Sequence, residues 1–479
     1  MFLSEGKRAH FIAVGGSGMS GIAWVMLKRG IAVTGSDLVG NRMTQRLVEH
    51  GAQCFIGHKP EHLDGTDLVV VSTAIDEENC ELREAKRRGL TIWHRAQALA
   101  ALMSQGHSVG VSGCHGKTTT TCMVGLLFDK AGKDPTVIVG GESANFGGTA
   151  RAGRPDLVIA ELDESDGSFL GVLPDQVVIT NIDADHLDHY GNYEAIVAAF
   201  QQFAGQVVQP PVVCSDDPGV RRAMAGVKRP LIRYSLSDRD ADYSAADLSL
   251  MPHGSRFVIL HRGKRLGEVT LQTPGQHNVS NAVGAIAVGV QAGLDPVLCC
   301  QALADYCGVG RRLTVRSETG GILIVDDYAH HPTEINATLK VGRLWADEKG
   351  GRLVCIFQPH RYTRTAALGR EFGPAFAAAD QVIITGIYPA GERPIAGVTG
   401  ALIADSVKAA GHPHVRYVDD ASQVAALLAP ELAPADVVFT VGAGNVWEVG
   451  DGLRDRLERR AAESNSESTA TGRAGARGG

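Results

Sequence analysis

An α/β fold of three domains is what the sequence predicts, on three observations. Short apolar runs of strand length recur along the chain, and most end in a glycine-rich or acidic segment. Two of these runs lead into glycine loops followed by helix-like patterns, at residues 15–21 and 113–119. The chain of 479 residues is also far too long for one hydrophobic core, so two to four domains are expected.

The first domain is expected over residues 1–105. Residues 10–14 read as a strand, Gly15-Gly16-Ser17-Gly18-Met19-Ser20-Gly21 opens a helix to residue 29, and a second strand, 31–36, ends at Asp37. Gly16-x-Gly18-x-x-Gly21 has the dinucleotide-fingerprint spacing, with Asp37 near the ribose position. The competing reading is a tight turn whose glycines let helix and strand pack. A diphosphate at the helix N-terminus is favoured, with NAD only one candidate. Residues 67–72 and 90–93 read as further buried strands, which makes a small Rossmann-like unit holding a nucleotide diphosphate.

The second domain is expected over 106–309. Residues 108–112 form a buried strand, Gly113-Cys114-His115-Gly116-Lys117-Thr118-Thr119 follows, and 120–130 reads as a helix stopped by Gly132. That is a compact phosphate loop: backbone N–H groups cradle phosphate oxygens, the lysine neutralises them and the Thr118 hydroxyl suits Mg²⁺. Strands at 136–140, 157–160 and 177–180 come next. Two of them run into the acidic segments Glu161-Leu162-Asp163-Glu164-Ser165-Asp166 and Asn181-Ile182-Asp183-Ala184-Asp185-His186-Leu187-Asp188-His189. Ligands collect at the carboxyl ends of parallel strands, so Glu161 and His186 are singled out as Mg²⁺ or Mn²⁺ ligands, most of their acidic neighbours being helix caps. Residues 255–261 and 266–271 alternate around Gly263-Lys264-Arg265 and predict a β-hairpin, and residues 273–281 open a strongly apolar helix. The polar residues at its mouth either read a base or cap the helix through Asn278 or Ser280.

The third domain, 310–463, resumes the alternation with strands at 322–325, 353–357, 382–385 and 437–441. They end in Asp326-Asp327-Tyr328-Ala329-His330-His331, Gln358-Pro359-His360-Arg361-Tyr362-Thr363-Arg364, Gly386-Ile387-Tyr388-Pro389 and Gly442-Ala443-Gly444-Asn445. Arg361 and Arg364 at a strand end could clamp a carboxylate or phosphate. Residues 464–479 are low-complexity and predict a disordered tail.

Composition narrows the class. A net charge of −7 gives no electrostatic reason to bind nucleic acid or membrane. No apolar stretch approaches a membrane span, and the first ten residues have no signal-peptide core. Nine scattered cysteines without a C-x-x-C pair argue for a reducing compartment, so a cytoplasmic location is expected. The adjacent Cys299 and Cys300 read as packing residues.

Taken together, these segments resemble the Mur ligase family, and within it the alanine-adding branch. The resemblance rests on residues 15–21 with Ser36-Asp37, residues 113–121, Glu161-x-Asp163-Glu164-Ser165-Asp166, Asp185-His186, His277-Asn278-x-x-Asn281, Gly310-Arg311-Arg312, residues 326–333 and residues 358–365. It covers everything but the tail, with two departures: Ala13 stands where the family has glycine, and Cys114 where it has threonine. The resemblance implies a UDP-sugar domain, a central ATPase and an amino-acid domain that closes over the site. It also implies ATP with Mg²⁺, and addition of L-alanine to UDP-N-acetylmuramate through an acyl phosphate in peptidoglycan synthesis, by a monomer or homodimer.

The resemblance likewise implies residue roles. ATP would be held by Gly113, Cys114, His115, Gly116, Lys117, Thr118, Thr119, His277, Asn281, Arg312 and Asp327, and metal by Thr118, Glu161 and His186. The UDP-sugar would lie on Gly15, Gly16, Ser17, Gly18, Met19, Ser36, Asp37, Ser72 and Arg95, and alanine on Tyr328, His330, Arg361 and Arg364. Lys117, His115, Arg312 and His330 would carry the catalysis. Some members of the family use a carbamylated lysine at a second Mg²⁺; the absence of lysine between Lys133 and Lys228 implies direct ligands here. The nearest alternative is the ligase that attaches an intact tripeptide to the same sugar nucleotide. From another class, residues 1–100 alone would suit an NAD-dependent oxidoreductase.

Overall fold

The computed structural model describes residues 6–475, with side chains through residue 462. The chain divides into two compact units, Met1–Gly310 and Arg311–Gly479.

The first unit holds two sheets. β1 (Arg8–Ile12), β2 (Ala32–Asp37), β3 (Gln53–Ile56), β4 (Leu68–Val71) and β5 (Thr91–His94) form an all-parallel sheet in the order β3-β2-β1-β4-β5. This is the doubly wound order, with its switch point where β1 runs into the glycine loop. The strands at 31–36 and 67–72 in the sequence reading are β2 and β4, and β3 is an addition. β3 was missed because its four residues carry no buried side and win their place by pairing with β2.

The second sheet has ten strands: β6 (His107–Ser112), β7 (Pro135–Ser143), β8 (Gly148–Arg151), β9 (Arg154–Glu161), β10 (Gln176–Ile179), β11 (Val212–Cys214), β12 (Ile232–Ser235), β13 (Tyr243–Met251), β14 (Gly254–His261) and β15 (Lys264–Leu271). β9-β6-β10-β11-β12 run parallel around the phosphate-loop strand β6, whereas β13-β14-β15 form an antiparallel extension. The hairpin turn is Arg262-Gly263, both with positive φ, so Lys264 and Arg265 belong to β15 rather than to the turn. Two left-handed residues match the strand twist, which is why the turn closes there.

These two sheets share a core. The helix Ser17–Lys28 lies against β7 and β8 as well as on its own sheet, and buried Met19, Ile22 and Trp24 join Ile138, Ala150 and Val158 in one apolar cluster. Gly21 permits that approach: a methyl there would come 3.1 Å from the Thr149 carbonyl oxygen. The last glycine of the fingerprint therefore serves packing.

Beneath β1 and β2 lies a buried polar hub. Glu81 accepts from Ser36 Oγ at 2.5 Å and the Lys59 N–H at 3.1 Å, and His62 and His10 approach it at 2.6 and 3.4 Å. Burial alone would raise its pKa; the hydrogen bonds from His10 and Ser36 outweigh it and bring it to about 2. The stability this charge contributes is present above the ordinary 4.5 and is lost as pH falls toward 2, and a shift of that size is worth about 3 kcal/mol. Glu81→Gln should therefore lower unfolding stability by up to about 3 kcal/mol at neutral pH, with the deficit closing between pH 4.5 and 2. Urea melts at pH 7 and 3.5 check this; a deficit independent of pH removes the charge from the account.

The second unit is one sheet, β16 (Thr314–Thr319), β17 (Ile322–Asp327), β18 (Leu353–Phe357), β19 (Gln381–Thr385), β20 (Val415–Val418) and β21 (Val437–Val441), in the order β16-β17-β21-β18-β19-β20. β17 to β20 are parallel and β16 is an antiparallel edge. The final helix is Trp447–Gly475, so the backbone that the sequence reading gave to a disordered tail from 464 is helical to Gly475. A helix already nucleated on a packed segment extends at one hydrogen bond per residue, and composition alone misses this. The side chains from 463 on, and residues 476–479, lie outside the described residues.

Candidate active site

The phosphate loop follows β6 and is held from below by the end of β10. Asn181 takes the His115 N–H on Oδ1 at 2.7 Å and returns Nδ2 to the His115 carbonyl at 2.9 Å, while Thr180 Oγ1 donates to the same carbonyl at 2.7 Å. Gly113 has φ 134°, and a methyl there would fall 2.1 Å from Thr180 Oγ1. Gly116 has φ 77° and carries the Asn281 amide where a methyl would be, at 2.6 Å. Gly116 is also the N-cap of the helix Lys117–Lys130 and has no capping side chain, so the first-turn N–H groups suit an anion. The loop fits a phosphate chain.

Lys117 Nζ donates to the carbonyls of Gly113 and Cys114 at 2.7 and 3.1 Å and lies 2.8 Å from the buried Glu164 carboxylate. Burial would lower its pKa, but Glu164, Asp163 and Glu161 outweigh that, so it remains a firm ammonium. Glu164 is pushed up to about 7, chiefly by burial, with Lys117 pulling the other way. Cys114, the departure from the family's threonine, accepts the Asp183 N–H on Sγ at 3.1 Å and faces the Asp183 carbonyl at 3.5 Å. The thiol thus spans the same residue that His115 Nε2 meets at 3.2 Å, and burial holds its pKa well above the ordinary value.

Among the proposed metal ligands, Glu161 sits on the Gly140 N–H at 2.6 Å, in a space that any side chain at 140 would fill. His186, itself left-handed at φ 53°, faces Glu164 at 3.8 Å and Asp185 at 3.7 Å. Thr118 lies at the helix start, its methyl against Gly141. Two oxygens and one imidazole suit Mg²⁺ or Mn²⁺.

In the first domain, Asp37 Oδ2 accepts the Gly15 N–H at 2.9 Å and Asn41 donates to the Gly15 carbonyl at 2.9 Å, which shapes the loop before the helix at Ser17. Arg95 lies over Gly18, where a methyl would come 3.1 Å from Nη1, and donates to Asp163 at 2.5 Å. It ties the first glycine loop to the acidic end of β9. Three of the side chains on these loops and helix starts are buried. Ser36 is buried and donates inward to Glu81, because alternation along β2 puts Thr34 and Ser36 on the inner face. Met19 and Thr119 are buried in the first turns of their helices. Ser17, Gly16 and Ser72 lie at the accessible edge. His277 stands partly buried in the first turn of the helix Gln276–Gln291; Asn278 donates to the Pro274 carbonyl at 2.7 Å instead of capping.

In the second unit the chain enters through Arg311 and Leu313, both left-handed, at φ 57° and 49°. Arg311 binds Asp326 at 2.9 Å and the carbonyls of Gly442 and Gly444, and Arg311 and Arg312 both lie over the Tyr328 ring. Asp327 is buried, and its oxygens hold the N–H groups of Leu313 and Ala329 and the Thr338 hydroxyl, so it organises the strand end. Arg312 meets Glu334 at 3.3 Å. A row of rings then crosses the carboxyl edge of the sheet: Tyr328, His330, His360 and Tyr388, with neighbouring centroids 5.5–5.8 Å apart. Arg364 is buried and donates to His360 Nδ1 at 3.1 Å, whereas Arg361, half-exposed and left-handed, faces Glu392 at 3.8 Å. Glu392 in turn receives the Thr363 N–H and hydroxyl.

Glu164, inside the acidic motif after β9, and Glu334 and Glu392, each within a few residues of a motif, were given no role from sequence. An acid in the first helical turn, as at Glu334, reads locally as dipole compensation.

Three family models cover the chain: "Mur ligase family, catalytic domain" at 8–107, "Mur ligase middle domain" at 111–289, and "Mur ligase, glutamate ligase domain" at 311–444. A UDP-N-acetylmuramate–L-alanine ligase of Pelotomaculum thermopropionicum is 46% identical over 95% of this chain and 99% of its own length. One of Geobacter sp. strain M21 is 44% identical over 94% and 98%. The crystal structure of the UDP-N-acetylmuramate-alanine ligase of Thermotoga maritima superposes with a TM-score of 0.79 at 27% identity, covering 95% of this chain and 99% of that one. With a glycine-cradled phosphate loop on one sheet, an arginine–histidine cluster on another and relatives matched from end to end, the chain belongs to the Mur ligase family.

Proposed function

We propose that the chain is an ATP-dependent ligase that joins L-alanine to the lactyl carboxylate of UDP-N-acetylmuramate, releasing ADP and phosphate. One observation carries the reading: the lysine-bearing phosphate loop stands in a chain that relatives named for this reaction match over nearly its whole length. The division of labour follows the three sheets. Residues 1–105 hold the UDP-sugar on Gly15, Gly16, Ser17, Gly18, Asp37, Ser72 and Arg95. Residues 106–309 hold ATP on the phosphate loop with His277 and Asn281. Residues 310–463 supply Arg312 to the nucleotide and Tyr328, His330, Arg361 and Arg364 to alanine.

A carboxylate is a poor electrophile, so it is first phosphorylated; the amine then attacks the acyl phosphate and phosphate leaves. Lys117 draws charge from the transferring phosphoryl group, and backbone N–H groups after Gly116 hold it in line. Thr118, Glu161 and His186 would hold Mg²⁺, which neutralises phosphate charge when bound. His115, braced by Asp183, is assigned to the acceptor carboxylate. Among the described residues no helix is long and apolar enough to cross a membrane.

Phosphate release from ATP, measured with UDP-N-acetylmuramate and each amino acid in turn, tests the reading. Alanine should drive release. Release driven instead by the intact tripeptide would establish the recycling ligase in its place.

A further inference from the structure

One carboxylate in the second unit touches both of the groups that the proposed function assigns to different substrates. Glu334, third residue of the helix Pro332–Lys349 and almost fully buried, has Arg312 Nη1 3.3 Å from Oε1. Its Oε2 accepts the His330 N–H at 3.0 Å and lies 3.4 Å from His330 Nδ1. His330 Nδ1 is also 3.0 Å from the Tyr328 carbonyl oxygen. A carbonyl oxygen and a carboxylate facing Arg312 can only accept, so Nδ1 carries the hydrogen and the lone pair of neutral His330 is on Nε2. The neighbouring imidazole is set the other way. Arginine cannot accept a hydrogen bond, so Arg364 at 3.1 Å makes His360 Nδ1 the acceptor and leaves the hydrogen of neutral His360 on Nε2.

We infer that Glu334 is a positioning residue: it fixes His330 with Nε2 as the proton acceptor for the incoming ammonium and holds Arg312 in register with it. The inference rests on the proposed function. In the step it serves, alanine's ammonium gives one proton to His330 Nε2, and the freed nitrogen pair forms the C–N bond at the acyl carbon. The C–O bond to phosphate then breaks, and the second nitrogen proton leaves with the phosphate as hydrogenphosphate. The imidazolium formed meanwhile is stabilised by the Glu334 carboxylate and later returns its proton to water. The charged and titratable groups around His330 include Glu334 and, through it, Arg312 on one side, Tyr328 on its own strand end, and, beyond the end of β18, His360 with Arg364 of the helix Tyr362–Leu368.

A purely structural role is the rival, since Glu334 also ties down the N-terminus of its helix. The test compares wild type, Glu334→Gln and Glu334→Asp in alanine-dependent phosphate release across pH 5.5–9.5, with ATP KM, melting temperature and ¹⁵N-histidine spectra, His330 being assigned with His330→Asn. Glu334→Gln should lower kcat/KM for alanine at least tenfold and move the acid limb to lower pH, because a neutral neighbour no longer favours the imidazolium. It should also weaken the Nδ1–H signature of His330, and Glu334→Asp should recover part of each effect. A lowered melting temperature with an unmoved pH limb and unchanged histidine spectrum overturns the inference. Wild type that releases no phosphate with alanine would overturn the functional reading itself, while the spectra still judge Glu334's hold on His330.

Discussion

Lys117→Met should lower ATP-driven phosphate release by on the order of 10²–10³-fold or more, the usual effect of removing one preorganised charge from a phosphoryl-transfer site. The geometry adds a second consequence. Lys117 is the cationic partner of Glu164, which burial already holds at about 7. Without the ammonium, the carboxyl is pushed higher still and takes up a proton near neutrality. A carboxyl raised on folding favours the folded state below its ordinary 4.5, and that advantage is lost as pH rises through the raised value. The variant should therefore lose melting temperature as pH rises from 5 to 8 more steeply than wild type, while binding the UDP-sugar, assigned to the first sheet, almost normally. Calorimetric titration and thermal melts check both statements. An equal loss of UDP-sugar affinity would defeat the division of labour.

Arg364→Lys and Arg361→Lys should each separate the two small substrates. Alanine's carboxylate must be held without being phosphorylated, and a guanidinium does that with a planar fork and no proton to lose. Arg364 is buried and aimed by His360 Nδ1, so lysine in its place gives up both the fork and the imidazole contact. Losing one such contact to a charged group is worth about 1.5–3 kcal/mol, or roughly ten- to more than a hundredfold in alanine KM, with ATP KM nearly unchanged. The buried position should show the larger effect, since half-exposed Arg361 already faces Glu392. Unchanged alanine KM in both variants would move the carboxylate site elsewhere.

What could be read from sequence was whatever sheets and glycine loops announce locally. β6, β17, β18 and β21 are apolar runs buried on both faces, and each ends where its motif begins. β13 and β16 escaped because the second half of β13 is solvated and β16 buries no residue fully, so pairing and not pattern decides them. The same holds for the site. Lys117 and Arg312 are visible as motif residues, but their partners Glu164 and Glu334 are 47 and 22 residues away, and only the fold shows that a charge is met. The inward turn of Ser36 follows from strand register, which a motif match ignores.

Cys114 has a last consequence, for reagents that discriminate among thiols. The thiolate is the reactive form, and here burial and the acidic neighbours keep the proton on sulfur at neutral pH. Cys80 and Cys307 are exposed, so a maleimide should consume them first and reach half-buried Cys54 and Cys114 more slowly, ahead of the five buried thiols. In a Cys54→Ser/Cys80→Ser/Cys307→Ser background the first slow labelling should track the opening of the contact with Asp183, turning a departure from the family's threonine into a clock for motion of the phosphate loop.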